Sequence, residues 1–182
     1  MEKINILIRT CGRKELFLRC LQSVTDQNYP NLRVIVSIDR DIDYVPDWCE
    51  SIRVYPSAPG PYFYDAYSND LKSMVSEGWF MFLDDDDTLA PDCLNKLQLN
   101  APAILVQINH MGRIIPTKLS TDLGSVGMPS LVLHHSLKGL YDFAPKNQLD
   151  HNDVSWINAV KSNVSLSWQP IVLAVIDRKG GR

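Results

Sequence analysis

Four aspartates, Asp84, Asp85, Asp86 and Asp87, stand side by side in WFMFLDDDDTLAP, the stretch from Trp79 to Pro91. Adjacent carboxylates repel one another strongly unless something positive sits among them, and a divalent metal is the simplest answer. A hard cation takes carboxylate oxygens and bridges them to substrate phosphates. By default a run of acids is a solvated loop. This one follows an unbroken apolar run, Trp79 to Leu83, closed in front by Gly78, which reads as a buried strand of a covered sheet. The acids then lie at its carboxyl end, the edge at which open α/β sheets bind ligands. A second acid, Asp39, ends another apolar run, Leu32 to Ile38, in the same way.

The elements that must position these acids follow in chain order. Ile4 to Ile8 is a short β-branched run that reaches Arg9, Thr10, Cys11 and Gly12. Beyond it Leu16, Phe17, Cys20, Leu21 and Val24 fall on one helical face. Asn28, Tyr29, Pro30 and Asn31 break that helix before the second strand, Leu32 to Ile38. Asp41, Asp43 and Asp47 lie in a loop without apolar period and are expected to be solvated. Ile52 to Tyr55 is a third strand, and Ser57 to Tyr64 supplies aromatics for a pocket wall or for loop packing. Asp65 can cap a helix whose buried face is Tyr67, Leu71, Met74 and Val75, ended by Gly78. Strand, helix, strand, strand, helix, strand predicts an α/β fold with a mostly parallel, three-layer sheet.

Past Pro91 the pattern loosens. A short helix is expected over Asp92 to Asn100, a strand over Ala103 to Asn109, and a turn from His110 to Arg113 into Ile114 and Ile115. Thr117 to Gly127 lacks a clear period, and Met128 to Leu133 is apolar. Asp150 to Val160 is a helix with Val154, Ile157 and Val160 inward, and Val164 to Val175 supplies the last extended pieces. The second half is therefore expected to be smaller and partly antiparallel, and to complete the site.

Length and composition narrow the function. The 182 residues, 45% of them hydrophobic, fit one ordered domain. A net charge of −3 offers no basic footprint for nucleic acid. Cys11, Cys20, Cys49 and Cys93 are widely spaced with no CxxC pair, so neither a zinc site nor a disulfide framework is expected. The reading is of a reduced, soluble, cytoplasmic protein, without signal peptide or membrane span. Ending soon after the last strand, it fits either a minimal enzyme or the catalytic part of a longer chain.

The succession ILIRTCGR, QNYPNLRVIVSID and SNDLKSMVSEGWFMFLDDDDTLAP resembles the GT-A glycosyltransferases, in particular family two of the inverting, nucleotide-sugar-dependent enzymes. The resemblance covers the first hundred residues in order and spacing, and virus-encoded members of the family share this size. It implies a three-layer, Rossmann-like GT-A sheet in a single domain, with residues 1–91 binding the nucleotide sugar and residues 92–182 shaping the acceptor side. It also implies roles. Thr10 and Arg13 stand where the first-strand turn holds the nucleotide, and Asp39 where an aspartate contacts the base, commonly uracil. Asn69 matches the helix asparagine before the acids. Asp84, Asp85 and Asp86 form the DxD signature, with Asp84 near the ribose, Asp86 the metal ligand for Mn²⁺ or Mg²⁺, and Asp87 a frequent extra acid.

In the second half the family places an acidic pair at the start of a late helix, whose second member is the catalytic base. LDHNDVSWI offers Asn152 and Asp153 there, without the glutamate of the pair. Asp153 is the candidate base, Asp150 its competitor, and a helix-capping aspartate the plain alternative. His151 reads as a surface residue or one that backs the site. The implied partners are a nucleotide sugar, a uridine diphosphate sugar above others, and a glycan or glycoprotein acceptor. No QxxRW string occurs, which speaks against processive polysaccharide synthases and for transfer of a single sugar.

Two other classes compete. Asp84, Asp86 and Thr88 spell the DxDxT nucleophile motif of haloacid-dehalogenase-like phosphatases, though that motif normally ends the first strand of its domain. A non-enzymatic sugar- or metal-binding module is the third reading, and the spacing lacks the glycine and distal glutamate of an EF-hand loop.

Overall fold

The structure is a computed structural model that describes residues 1–10, 12–38, 42–53, 64–143 and 152–177. Three β-rich runs build its centre. β1 (Ile4–Thr10) lies between β2 (Leu32–Ile38) and β4 (Trp79–Asp84), and β3 (Glu50–Arg53) flanks β2. All three ladders are parallel. Because alternate residues of a strand face opposite sides, each of these strands feeds two cores. Ile4, Ile6, Ile8, Val34, Val36, Met81 and Leu83 pack under α1 (Lys14–Thr25), through its buried Phe17, Cys20, Leu21 and Val24. Leu7, Ile35, Phe80 and Phe82 pack on the other face against Leu71, Val75, Trp156, Ile157 and Val160. These residues belong to α2 (Tyr64–Ser73), its exit, and α4 (Asn152–Asn163). Full burial of each such side chain stabilises the fold by about 1.5–3 kcal/mol. The fold is three-layered α/β with a mostly parallel sheet, as the pattern of runs predicts.

Two glycines set the strand entries and exits. Gly12 takes φ +85° between β1 and α1, and Gly78 takes φ +75° just before β4, both left-handed values that disfavour a side chain. At Gly78 a Cβ would also run into the Lys3 carbonyl, the group that accepts the Trp79 N–H at 2.8 Å. Close approach of the β1 and β4 entries therefore depends on the missing side chain.

The second half adds β5 (Thr88–Leu89), α3 (Cys93–Lys96), β6 (Ala103–His110), β7 (Arg113–Ile115), β8 (Leu131–His134) and β9 (Ser167–Ile176). β8 runs antiparallel to both β4 and β6, β9 runs parallel to β6, and β5 runs antiparallel to β9. The sheet order is β3-β2-β1-β4-β8-β6-β9-β5, with β7 paired to β6. Direction mixes only beyond β4.

Several boundaries differ from the sequence expectation. The helix expected to start at an Asp65 cap and run to Gly78 is α2, which already includes Tyr64 and ends at Ser73, so Met74 and Val75 belong to its exit, where their N–H groups donate to the Leu71 and Lys72 carbonyls at 3.3 and 3.1 Å. The helix expected over residues 92–100 is confined to Cys93–Lys96, because Asp92 takes φ 54° and Leu97 is already extended. Gln169 of β9 then holds the main chain of Gln98, donating to its oxygen at 2.7 Å and accepting from its nitrogen at 3.1 Å. Tertiary hydrogen bonds have captured backbone that local propensity would have coiled. β3 begins two residues early, at Glu50, where both Glu50 oxygens accept from Arg33 at 2.6 and 2.5 Å. Its expected continuation to Tyr55, Asp41 and most of the Ser57 to Tyr64 wall lie outside the described residues, whereas Asp43 and Asp47 are exposed as expected. Among the described residues no helix is long and apolar enough to cross a membrane.

Candidate active site

The parallel register of β1 and β4 sets Arg9 opposite Asp84 at the carboxyl edge. Arg9 donates to Asp84 Oδ1 at 2.5 Å. The chain then turns, the Asp87 N–H donating to the Asp84 carbonyl at 3.0 Å, and re-enters the sheet as β5. Arg13, immediately before α1, spreads its guanidinium across this turn, one nitrogen on Asp86 Oδ2 at 2.6 Å and another on Asp85 Oδ1. Arg19, one and a half turns further along α1, donates to the Asp86 carbonyl at 2.7 Å. The positive charge that four adjacent aspartates demand is thus supplied in part by the protein itself. Arg9 was not singled out from sequence; it stands in the quoted ILIRTCGR, but only the β1–β4 register reveals its partner.

The four acids are not equivalent. Asp85 is fully buried. Burial pushes its pKa up, against the opposing pull of the Arg13 guanidinium and of a hydrogen bond from Thr10. The buried Thr10 hydroxyl lies 3.3 Å from the Tyr44 hydroxyl as well. Asp84 and Asp86 keep side-chain exposures of 35% and 22%, so they can meet a ligand. One carboxylate oxygen from each of Asp84, Asp86 and Asp87 lies within 4.8 Å of the others. An all-carboxylate set of this reach suits a hard divalent cation such as Mg²⁺ or Mn²⁺. The geometry sets both Asp84 and Asp87 beside Asp86, the one ligand expected from the resemblance.

Cys20 sits beneath the turn, its thiol donating to the Asp84 carbonyl at 3.6 Å. Burial first, then the four aspartates, push that thiol far above its ordinary range. It is a packing residue, not a nucleophile. Burial raises Cys49 and Cys93 to about 12 as well, and all three thiols are free.

Thr10, Arg13, Asp84, Asp85 and Asp86 are therefore gathered at one edge of the sheet. Asp39 lies outside the described residues; Ile38, next to it, pairs with Thr10. Asn69 engages the main chain of Phe143. Its amide donates to the Phe143 carbonyl at 2.7 Å and accepts the Phe143 N–H at 2.9 Å. Asp153 lies in the first turn of α4, partly buried, with Oδ1 accepting the Val154 N–H at 2.9 Å. Asp150 and His151 lie outside the described residues. One turn beyond Asp153, Trp156 packs edge-on against Phe82 with ring centroids 5.3 Å apart. Phe82 precedes Asp84 by two residues, so it points to the same face of β4. Neither Trp156 nor Phe143 was picked out from sequence, since an isolated aromatic in a loop or helix carries no partner information.

Comparison with known proteins supplies a second line. The family profile of glycosyl transferase family 2 matches residues 5–114. A search of curated protein sequences finds no match. Among solved structures, S. aureus TarS 1–349 in complex with UDP-GlcNAc superposes with TM-score 0.79 at 15% identity, covering 99% of this chain and 60% of that one. A second crystal structure of S. aureus TarS 1–349 gives 0.73 at 14% identity, covering 96% and 60%. The mannosyltransferase PcManGT from Pyrobaculum calidifontis, in complex with GDP-Man and Mn²⁺, gives 0.64 at 13% identity, covering 98% and 58%. At such identities the likeness establishes the GT-A fold, and the chain spans about three fifths of these relatives' length.

Proposed function

Since this chain belongs to glycosyl transferase family 2, we propose that it moves one sugar from a nucleotide sugar, of the uridine diphosphate class, to a hydroxyl of a glycan or glycoprotein, with inversion. The observation that carries this reading is the acid turn closing β4 beside the arginines of β1 and its exit, inside the segment that matches the family. Residues 1–91 bind the donor and residues 92–182 shape the acceptor side.

In this reading Asp39 meets the base, Asp84 faces the ribose, and Thr10 and Arg13 border the nucleotide. Asp86, with Asp84 and Asp87, would hold Mn²⁺ or Mg²⁺. Such an ion, when bound, supplies charge neutralisation for the departing diphosphate. Arg9 and Arg13 hold the carboxylates in place by fixed hydrogen bonds, so little reorganisation is needed as charge develops. Asp153 receives the acceptor proton as the hydroxyl oxygen bonds to the anomeric carbon and the bond from that carbon to the diphosphate oxygen breaks. Asp153 stands in the first turn of α4. Single displacement through an oxocarbenium-like state inverts the centre.

The phosphatase reading asks that Asp84, Asp86 and Thr88 follow the first strand of their domain, and here they follow β4. A binding module is separated from an enzyme by turnover. The test is a screen of nucleotide sugars for binding and hydrolysis with and without Mn²⁺. Metal-stimulated release of UDP from a UDP-sugar is expected; turnover of guanosine diphosphate sugars alone would overturn the donor assignment, and no turnover of any nucleotide sugar would overturn the enzyme.

A further inference from the structure

Two side chains of α2 converge on the main chain just before the segment that leads into α4, and neither has a step in the reaction described so far. Asn69 of α2 grips both backbone polar groups of Phe143, 74 positions away in sequence. Lys72, one turn later and only 4% exposed at its side chain, gives its ammonium to the Tyr141 carbonyl and approaches Asp142 Oδ1 at 3.4 Å. The same ammonium stands 5.3 Å from the centre of the Phe143 ring. A charge is expensive to bury, and burial lowers the pKa of Lys72 in spite of Asp142. Here it is buried on a backbone carbonyl.

What the clasp holds is a hub. The Phe143 ring is buried, and it meets Phe82 at 5.7 Å and Trp156 at 5.6 Å. Phe82 and Trp156 meet each other at 5.3 Å, which closes a triangle of rings. One corner lies two residues before Asp84 on β4; another lies one helical turn after Asp153 on α4. Interiors are close-packed and pass displacements on, so moving the third corner moves the other two relative to each other.

We propose that Asn69, Lys72 and Phe143 are positioning residues that set the first turn of α4, with Asp153, against the acid turn of β4, and so govern the transfer step and not donor binding. This rests on Asp153 acting as the base. A base misplaced by about an ångström costs roughly a hundredfold in rate.

The experiment compares Asn69→Ala and Lys72→Met with wild type, each alone and combined with Asp153→Asn. It measures UDP affinity by calorimetry, and UDP release from UDP-GlcNAc with Mn²⁺ as kcat and KM. The expected result is UDP affinity within about twofold of wild type and kcat lower by about tenfold or more in each single variant. In the Asp153→Asn background neither substitution lowers kcat further, because the residue through which they act is already silent. Phe143→Tyr, which keeps the ring, is expected to retain most activity where Phe143→Leu does not.

Wild-type kcat in a folded Asn69→Ala or Lys72→Met protein overturns the proposal. So does a parallel loss of UDP affinity, or a kcat loss that multiplies with that of Asp153→Asn. Should Asp153→Asn itself release UDP at the wild-type rate, it is the functional reading that fails.

Discussion

The carboxyl edge of β1 and β4 and the amino-terminal turn of α4 serve one proposed reaction, yet they are built on different principles. The first is made by register. Parallel pairing sets Arg9 against Asp84 and brings Thr10 and Arg13 to the same edge, so charged groups meet because the backbone ladder aligns them. The second is made by packing. Asp153 is joined to the sheet through Trp156, Phe82 and Phe143, and the aromatic triangle is steadied by α2. A site aligned by hydrogen-bonded strands tolerates little change of charge; one aligned by side-chain packing tolerates little change of shape.

Substitutions can break this contrast at either end. The largest expected effect is on the packed side: Asp153→Asn keeps the shape and removes the proton acceptor. Transfer is expected to fall by about two orders of magnitude or more while the nucleotide sugar still binds. If Asp150→Asn is inactive and Asp153→Asn is not, α4 has been aligned three residues out of place.

Arg13→Ala probes the aligned side and acts on stability. It strips the buried Asp85 of its guanidinium, which for a fully buried pair costs about 3–5 kcal/mol; with Arg13 one third exposed, about 2 kcal/mol is expected near neutral pH. The sign with pH follows from Asp85. Burial already holds its folded pKa above the ordinary value, and loss of Arg13 raises it further. The penalty is therefore fully present above that raised pKa and fades as pH falls toward the ordinary aspartate range, where the carboxyl is protonated both folded and unfolded. Urea unfolding at pH 8 and pH 5 measures it, and an equal loss at both would mean that Asp85 is not the group left uncompensated.

Gly78→Ala asks whether the β1–β4 register is as strict as the site requires. The left-handed φ and the clash with the Lys3 carbonyl together predict a loss of about 1–3 kcal/mol by thermal or chemical unfolding. The smallest effect belongs far from either region. Gln169→Ala removes two hydrogen bonds to Gln98 at the far side of the sheet, for about 1 kcal/mol of stability with kcat unchanged.

What could be read from the sequence divides along the same line. Leu32–Ile38 and the central strand were legible because an uninterrupted apolar run is a local property, and a strand's end says where its acids go. The face of α1 was legible through its period, with Phe17, Cys20, Leu21 and Val24 buried. The short α3 was overestimated, because Gln169, 71 residues on, takes the backbone that propensity assigned to helix. Arg9, Lys72, Phe143 and Trp156 went unnoticed for one reason: their partners are distant in sequence, and nothing in their own neighbourhood names those partners. Asn69 is marked only by the family resemblance, and its engagement with Phe143 is a contact that the resemblance does not carry.

The central claim is that the acid turn of β4 binds a nucleotide sugar through a divalent ion. The direct measurement is calorimetric titration of wild type and Asp86→Ala with a UDP-sugar in the presence of Mn²⁺, repeated with the metal chelated. Wild type is expected to bind at least tenfold more tightly with metal than without, and Asp86→Ala to lose that difference. Equal affinity of the two proteins for the intact UDP-sugar with Mn²⁺ present would contradict the account.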